Sequence, residues 1–245
     1  MARKKAAEKA DPTPDSKADS KSARTRERIL DAAAHVLSVK GYAGTRLTDV
    51  AEYAALQAPA IYYYFASRED LIEEVMWVGS ANMRTQIQTM LDALPSDLTP
   101  MDRILAAVEH HLRYELQISD YTTAAIRNAG QVPEQIRSRQ LEEESKYGAI
   151  WRELIQAAAD AGQVRSELDK HAARMFVVGA LNWAAEWWTP RWGSLDTVVE
   201  TAKSMVRHGL GTTDSELSVP GASTRTATAS RRAGTRRAVT TAESV

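Results

Sequence analysis

The chain has 245 residues, 44% of them apolar, with 31 basic and 32 acidic side chains and no cysteine. That supplies core material for one or two domains, and it excludes a disulfide framework and any thiolate metal centre, as suits a reducing cytoplasm. No apolar run approaches the roughly 18 residues that span a bilayer, the N-terminus is charged rather than signal-like, and a net charge of −1 does not by itself announce a nucleic-acid binder.

Residues 1–22 are rich in Ala, Lys, Asp, Ser and Pro and are expected to form a disordered arm. Arg3, Lys4 and Lys5 read as a solvated charge block, with an anionic partner's backbone as the alternative contact. A first helix is expected from about Ser22 to Val39. Its apolar stripe is Ile29, Ala32, Ala33, Val36 and Leu37, and Gly41 serves as a left-handed cap. Arg24, Arg26 and Arg28 then sit at its start, opposed to the helix dipole, and call for an anionic partner.

The stretch TRLTDVAEYAALQAPAIYYYFASREDL, Thr45 to Leu71, reads as two short helices across a tight turn, followed by an aromatic cluster and a third helix start. Thr45 is the expected N-cap of the first, whose buried face is Leu47, Val50, Ala51 and Ala54. Ala55, Leu56 and Gln57 make the turn, and Pro59 sits early in the second helix, where its missing N–H is harmless. Ser67 caps the next helix, with Asp70 as its partner. A helix-turn-helix places its second helix in a DNA major groove. Ala58, Pro59 and Ala60 permit close backbone approach. Consecutive helical positions lie about 100° apart, so Tyr62, Tyr63 and Tyr64 cannot all face inward. Arg46 and Thr48 suit a phosphate at a helix start.

This stretch, with the helix before it, resembles the DNA-binding domain of the TetR family of bacterial regulators over about residues 24–71. The Tyr62–Phe65 cluster and the Arg68-Glu69 pair carry the likeness. Ala55 stands where the family usually has Gly, and Gln57 where it often has Ser. The resemblance implies DNA contacts at Arg46, Thr48, Gln57, Ala58, Pro59, Ala60, Tyr62, Tyr63, Tyr64 and Arg68.

Farther on, one long helix is expected from Arg68 to about Leu94. Others are expected from Pro100 with Thr99 as cap, from Asp120 to Ala129, from Glu134 to Ala161, from Leu168 to Trp188, and from Ser194 to Leu210. Glu142, Glu143 and Glu144 read as a solvated face, and His111 with Glu115 as a surface pair. From Gly211 on, Ser, Thr, Ala and Arg lack periodicity, so a disordered tail is expected, its Arg231, Arg232, Arg236 and Arg237 solvated. β-branched residues never alternate over a long run, and an all-α fold follows. The expected organisation is an arm (1–22), a three-helix DNA-binding domain (23–71), a helical ligand-binding and dimerisation domain (72–211), and a tail (212–245). Residues 72–211 hold fourteen basic against nineteen acidic residues, a balance suited to lying away from phosphates.

The last two helices are the expected dimer interface, through Val177, Leu181, Trp187, Trp188 and Val198. An effector pocket is expected among the helices starting near Arg68, Pro100, Asp120, Glu134 and Leu168. Its candidate residues are His110, Arg113, Tyr114, Arg127, Asn128, Tyr147, Trp151, Asn182 and Trp183. The segments YGAIWRELI and GALNWAAEWWTPRWGSL are similar to TetR-family sensor domains that respond to acyl-CoA thioesters from lipid, sterol or aromatic-acid catabolism. That similarity implies such an effector, with Arg103, Arg113, Arg127, Arg137 or Arg139 offsetting its phosphates. The alternative is a hydrophobic xenobiotic acting on an efflux or stress repressor. Gly-rich phosphate loops, GxSxG and HExxH are absent, so no catalytic residue, metal or cofactor is assigned. A helical adaptor without DNA binding would leave the tyrosine cluster unexplained. The expectation is a cytoplasmic, homodimeric, ligand-responsive regulator, most simply a repressor, binding a palindromic double-stranded operator and no membrane.

Overall fold

The computed structural model describes residues 14–212, with side chains from residue 21 onward. Residues 1–13 and 213–245, which hold most of the expected arm and tail, lie outside the described residues. Nine α-helices make up the described fold: α1 Pro14–Gly44, α2 Leu47–Tyr53, α3 Ala58–Ile61, α4 Arg68–Ala93, α5 Pro100–Arg113, α6 Asp120–Asn128, α7 Ser138–Asp160, α8 Lys170–Trp187 and α9 Leu195–Leu210. Among the described residues the only β pairing is an isolated bridge between Val164 and Gly211. No described helix is long and apolar enough to cross a membrane.

α1 begins eight residues before the expected Ser22. Pro14 is tolerated in a first turn, and neither Gly nor Pro follows before Gly41. Arg24, Arg26 and Arg28 therefore lie in mid-helix, where the dipole argument does not apply. Arg26 meets Glu74 at 3.0 Å and covers the Phe65 ring, while Arg28 donates to the Ala54 carbonyl. Gly41 does take a positive φ of 70°, but its ψ of 175° makes a kink rather than a terminal cap, and Tyr42–Gly44 resume the helix. Thr45 is not the cap of α2: it is buried, its hydroxyl donates 2.7 Å back to the Gly41 carbonyl, and Arg46 takes the N-cap position. Ser67, Thr99 and Ser194 cap α4, α5 and α9 as the sequence indicates.

Two apolar cores result. The first joins the α1 stripe, Val50, Ala51, Ile61 and Phe65 to Leu71, Ile72, Val75 and Met76 of α4, and recruits Ala124 and Ala125 of α6. The second lies among α4, α5, α7, α8 and α9, around Ile104, Val108, Trp151, Ile155, Leu181 and Val199. α4 contributes to both. α6 packs on α1 and α4, and its crossing with α4 is so close that a Cβ on Gly79 would stand 2.2 Å from the Tyr121 carbonyl oxygen. α5 does not run straight to Ser119: its last turn is a π-helical segment, Tyr114–Ile118.

Candidate nucleic-acid interface and effector cavity

α2 ends at Ala54, after which Ala55 takes φ 52°. A left-handed residue there lets the Leu56 N–H reach the Ala51 carbonyl at 2.8 Å and turns the chain into α3. Glycine adopts this conformation freely; alanine holds it under strain of roughly 1 kcal/mol. The turn displays Gln57 and Pro59 to solvent, with Ala58 and Ala60 half-exposed. Tyr62 and Tyr63 are 59% and 82% exposed, while Tyr64 packs against the core and edge-on to Tyr63. The geometry thus divides the three tyrosines two outward and one inward. Arg46 and Thr48 are exposed beside them. Arg68 is engaged inside the domain: it bonds the carbonyls of Thr45 (2.8 Å) and Tyr42, pairs with Glu69 at 2.9 Å, and covers the Tyr42 ring. It clamps the α1–α2 connection, a role that motif spacing alone does not reveal.

The second feature is a cavity of about 330 Å³ between α4, α5, α6, α7 and α8. Met83, Ala125, Ile126 and Val178 supply apolar wall, and His111, Glu144, Tyr147, Arg174 and Asn182 supply the polar groups. Of the nine expected pocket residues, it takes Tyr147 and Asn182. His111 replaces its neighbour His110, which is not part of the cavity wall and stacks on Tyr114 with ring centres 5.8 Å apart. Arg113 pairs with Glu109 (2.9 Å) and Asp196 (2.7 Å). Trp151 is wholly buried in the second core, and Trp183 is 65% exposed on the outside of α8. Among the arginines expected to face a charged effector, Arg103 bonds the Leu91 carbonyl and Arg139 holds Glu74. Arg174, which the sequence did not single out, is the arginine in the cavity wall; it donates to the Gly148 carbonyl at 2.8 Å. The three-glutamate run is not one solvated face. Glu142 is exposed, Glu143 is buried against Arg84 and Lys146, and Glu144 reaches the cavity, its carboxyl pushed up by burial. His111 and Glu115 are likewise buried rather than a surface pair.

α6 connects the two features. Thr122, Ala125 and Ile126 line the cavity from it. Its other side holds α1: Asp120 meets His35 at 3.0 Å, Tyr121 donates to Asp31 at 2.8 Å, and Arg127 donates to the Ser38 carbonyl at 2.7 Å. Asn128 is completely buried; it accepts from the Tyr42 N–H at 2.7 Å and donates to the carbonyls of Ala124 (2.8 Å) and Leu37 (3.3 Å). Arg127 and Asn128 are thus joints between the helix-turn-helix and the C-terminal helices, outside the cavity.

Val177 and Leu181, expected at a dimer interface, point into the second core, and Trp188 and Val198 are partly buried against it. The register places a different set outward. Phe176, Gly179, Ala180, Trp183 and Trp187 form one exposed stripe on α8 at helical spacing. Trp192 (79% exposed) and, on α9, Met205 (71%) are exposed too. Periodicity locates apolar residues on this helix, but apolar side chains all round leave the inward face undecided.

The fold and these surfaces define a helix-turn-helix protein with a helical C-terminal domain. Residues 29–75 match the family described as bacterial regulatory proteins, tetR family, and residues 97–210 match the tetracyclin repressor-like C-terminal domain. The chain belongs to the TetR family of bacterial transcriptional regulators. It is similar to the HTH-type transcriptional repressor KstR2 of Mycobacterium tuberculosis, 23% identical over 173 residues that cover 67% of this chain and 82% of the relative. The structure of that ketosteroid regulator superposes with a TM-score of 0.67 at 17% identity, covering 77% of this chain and 95% of its own. AibR, solved in complex with isovaleryl coenzyme A and operator DNA, gives a TM-score of 0.66 at 18% identity, covering 74% and 97%.

Proposed function

We propose that the protein is a homodimeric repressor that binds a palindromic operator and is released from it by a small effector held in the cavity. The observation that carries this reading is the outward face of the helix-turn-helix. Tyr62, Tyr63, Gln57 and Pro59 are exposed in and after the turn, Ala58 and Ala60 half-exposed, and Arg46 and Thr48 are exposed at the start of α2. Tyr62, Tyr63, Arg46 and Thr48 would meet phosphates, while Gln57 and the backbone of α3 approach base edges. Arg68 and Tyr64 hold this face in shape instead of touching DNA. The exposed α8 stripe is the dimer face, because an apolar patch of that extent invites a partner and a symmetric pair sets two recognition helices about 34 Å apart.

The effector is an acyl-CoA thioester. At about 330 Å³ the cavity is at the small end of ligand pockets, so the acyl end enters and the nucleotide stays outside. An effector releases DNA only by preferring the non-binding shape, and a thousandfold loss of affinity takes about 4 kcal/mol of coupling. α6 is the route for that coupling. Fluorescence anisotropy with labelled DNA from upstream of the protein's own gene, with and without a panel of acyl-CoAs, tests the reading. Tight binding relieved by one thioester is the expected result. Binding that no thioester relieves, but a hydrophobic xenobiotic does, would replace the effector class and keep the repressor. Unchanged affinity in a Tyr62→Phe, Tyr63→Phe double variant would remove the hydroxyls from the DNA contact.

A further inference from the structure

Glu115, His111 and Tyr147 form a buried chain that ends at the cavity wall. Glu115 and His111 are 1% and 0% exposed. Glu115 Oε2 lies 3.1 Å from His111 Nε2, and His111 Nδ1 lies 2.6 Å from the Tyr147 hydroxyl. His111 and Tyr147 both line the cavity. The pair spans one turn of α5 and its π-helical extension, and Tyr147 comes across from α7.

Two proton arrangements are chemically available, and they present opposite faces to a ligand. If Glu115 is ionised and His111 neutral, the carboxylate takes the Nε2 proton. Nδ1 is then a lone pair and accepts from Tyr147, whose oxygen offers the cavity lone pairs only. If the pair holds one further proton, on either Glu115 or His111, then Nδ1–H donates to the Tyr147 oxygen. The phenolic O–H is then released from His111 and free to donate to a ligand in the cavity that Tyr147 lines.

The surroundings favour the second arrangement. It leaves the buried pair with no net charge, whereas the first strands an uncompensated negative charge in the interior. Glu115 Oε1 is buried with no hydrogen-bond partner, which suits a carboxyl better than a carboxylate. Burial pushes the Glu115 carboxyl up, and Glu186 on α8 pushes the same way; His111 itself and the Ala185 backbone pull down without reversing it. His110 beside it on α5 is disfavoured as a cation, first by burial and then by His111. From α7, Glu144 faces the cavity with its own carboxyl raised by burial; Arg174 on α8 is the cation in the wall.

We propose that Tyr147 is the effector-recognising hydrogen-bond donor of the cavity, held in the donating orientation by the buried His111–Glu115 pair with its shared proton. The ligand class follows: an apolar molecule carrying a carbonyl oxygen, as in a ketone, ester or thioester, set against Tyr147. This rests on the reading of the cavity as the effector site.

Two measurements on the full-length protein test it. The first is calorimetric binding of heptan-2-one and of 2-methylhept-1-ene, which has the same shape with a methylene in place of the carbonyl oxygen. The wild type is expected to prefer the ketone about tenfold, the order of one retained hydrogen bond, and Tyr147→Phe to bind both alike. Equal binding of the two probes by the wild type overturns the proposal and leaves the cavity reading standing. Failure of both probes to bind removes the cavity reading and the proposal together. The second is the ¹⁵N spectrum of histidine-labelled protein, which needs neither ligand nor variant. His111 should show a protonated Nδ1; an unprotonated Nδ1 with a protonated Nε2 overturns the assigned arrangement.

Discussion

Replacing Asn128 by alanine would cut the joint between the C-terminal helices and the helix-turn-helix. The Gly41 kink takes the Tyr42 N–H out of the regular helical ladder, and the Asn128 side-chain oxygen accepts it at 2.7 Å. The same side chain donates to the carbonyls of Leu37 and Ala124. Alanine forfeits the bonds to Leu37 and Ala124 at about 1 kcal/mol each, and stranding the part-buried Tyr42 N–H adds about 1–3 kcal/mol, so a loss of about 3–5 kcal/mol is expected. That is a large share of the 5–15 kcal/mol that stabilises a typical domain, yet it leaves a folded majority. Urea titration followed by circular dichroism measures it. Asn128→Asp refines the test: it keeps the acceptor for Tyr42 but turns a carboxylate toward two carbonyls. Its deficit should shrink as the pH is lowered and the acid regains a proton to donate. A change below about 0.5 kcal/mol for Asn128→Ala, the ordinary range for a surface substitution, would refute the reasoning.

Ala55→Gly relieves the left-handed backbone at φ 52° and should stabilise the fold by about 0.5 kcal/mol in thermal melts, the chain-entropy penalty of glycine taking back about half of the strain relieved. Gly79→Ala forces α4 and α6 apart and should destabilise by about 1–3 kcal/mol by the same assay. Burial works to raise the Glu74 carboxyl, but hydrogen bonds from Arg139 and Arg26 outweigh it and hold the group below its usual 4.5. A carboxyl lowered on folding contributes stability above that value and loses it as the pH falls through the folded pKa. Glu74→Gln should therefore flatten the acid limb of a stability–pH curve. Trp183→Glu should convert dimers to monomers in sedimentation analysis while leaving the helical spectrum intact; a dimeric Trp183→Glu protein would move the interface off the α8 stripe.

What the sequence discloses depends on how local the determining physics is. Caps at Ser67, Thr99 and Ser194 rest on contacts three residues apart and are legible. So is the stripe of α1, which follows from helical geometry; that the three tyrosines cannot all face inward is legible too, but which of them turns inward is not. Thr45 misleads because a hydroxyl can serve the preceding turn as readily as the next one. The cavity's position among five helices follows from their order, but its wall does not. His110 and His111 differ by about 100° around α5, and only the packing of α7 decides which of them faces Tyr147. Arg174 and Glu144 sit on helices whose polar residues appear solvated until the opposing helix is in place. Val177 and Leu181 illustrate the same limit on α8. The first core also draws Ala124 and Ala125 from α6, a distant debt that no window around Thr45–Leu71 discloses.

α4 is a single unbroken rod of 26 residues without proline, and its one glycine is the crossing point with α6. Its first turns belong to the core beneath the DNA-reading face, and its middle forms cavity wall. No hinge separates the two. From Gly79 to Arg68 the rod measures about 16 Å, so a tilt of about 10° about that crossing carries its tip through about 3 Å. This is close to the rise of one base-pair step, about 3.4 Å. The rod would act as a lever whose fulcrum, Gly79, lies in the cavity wall, and the reach from fulcrum to tip would set its mechanical gain. The same tilt moves Met83 in the cavity wall, about 6 Å on the far side of the crossing, by only about 1 Å, a third of the travel at the tip.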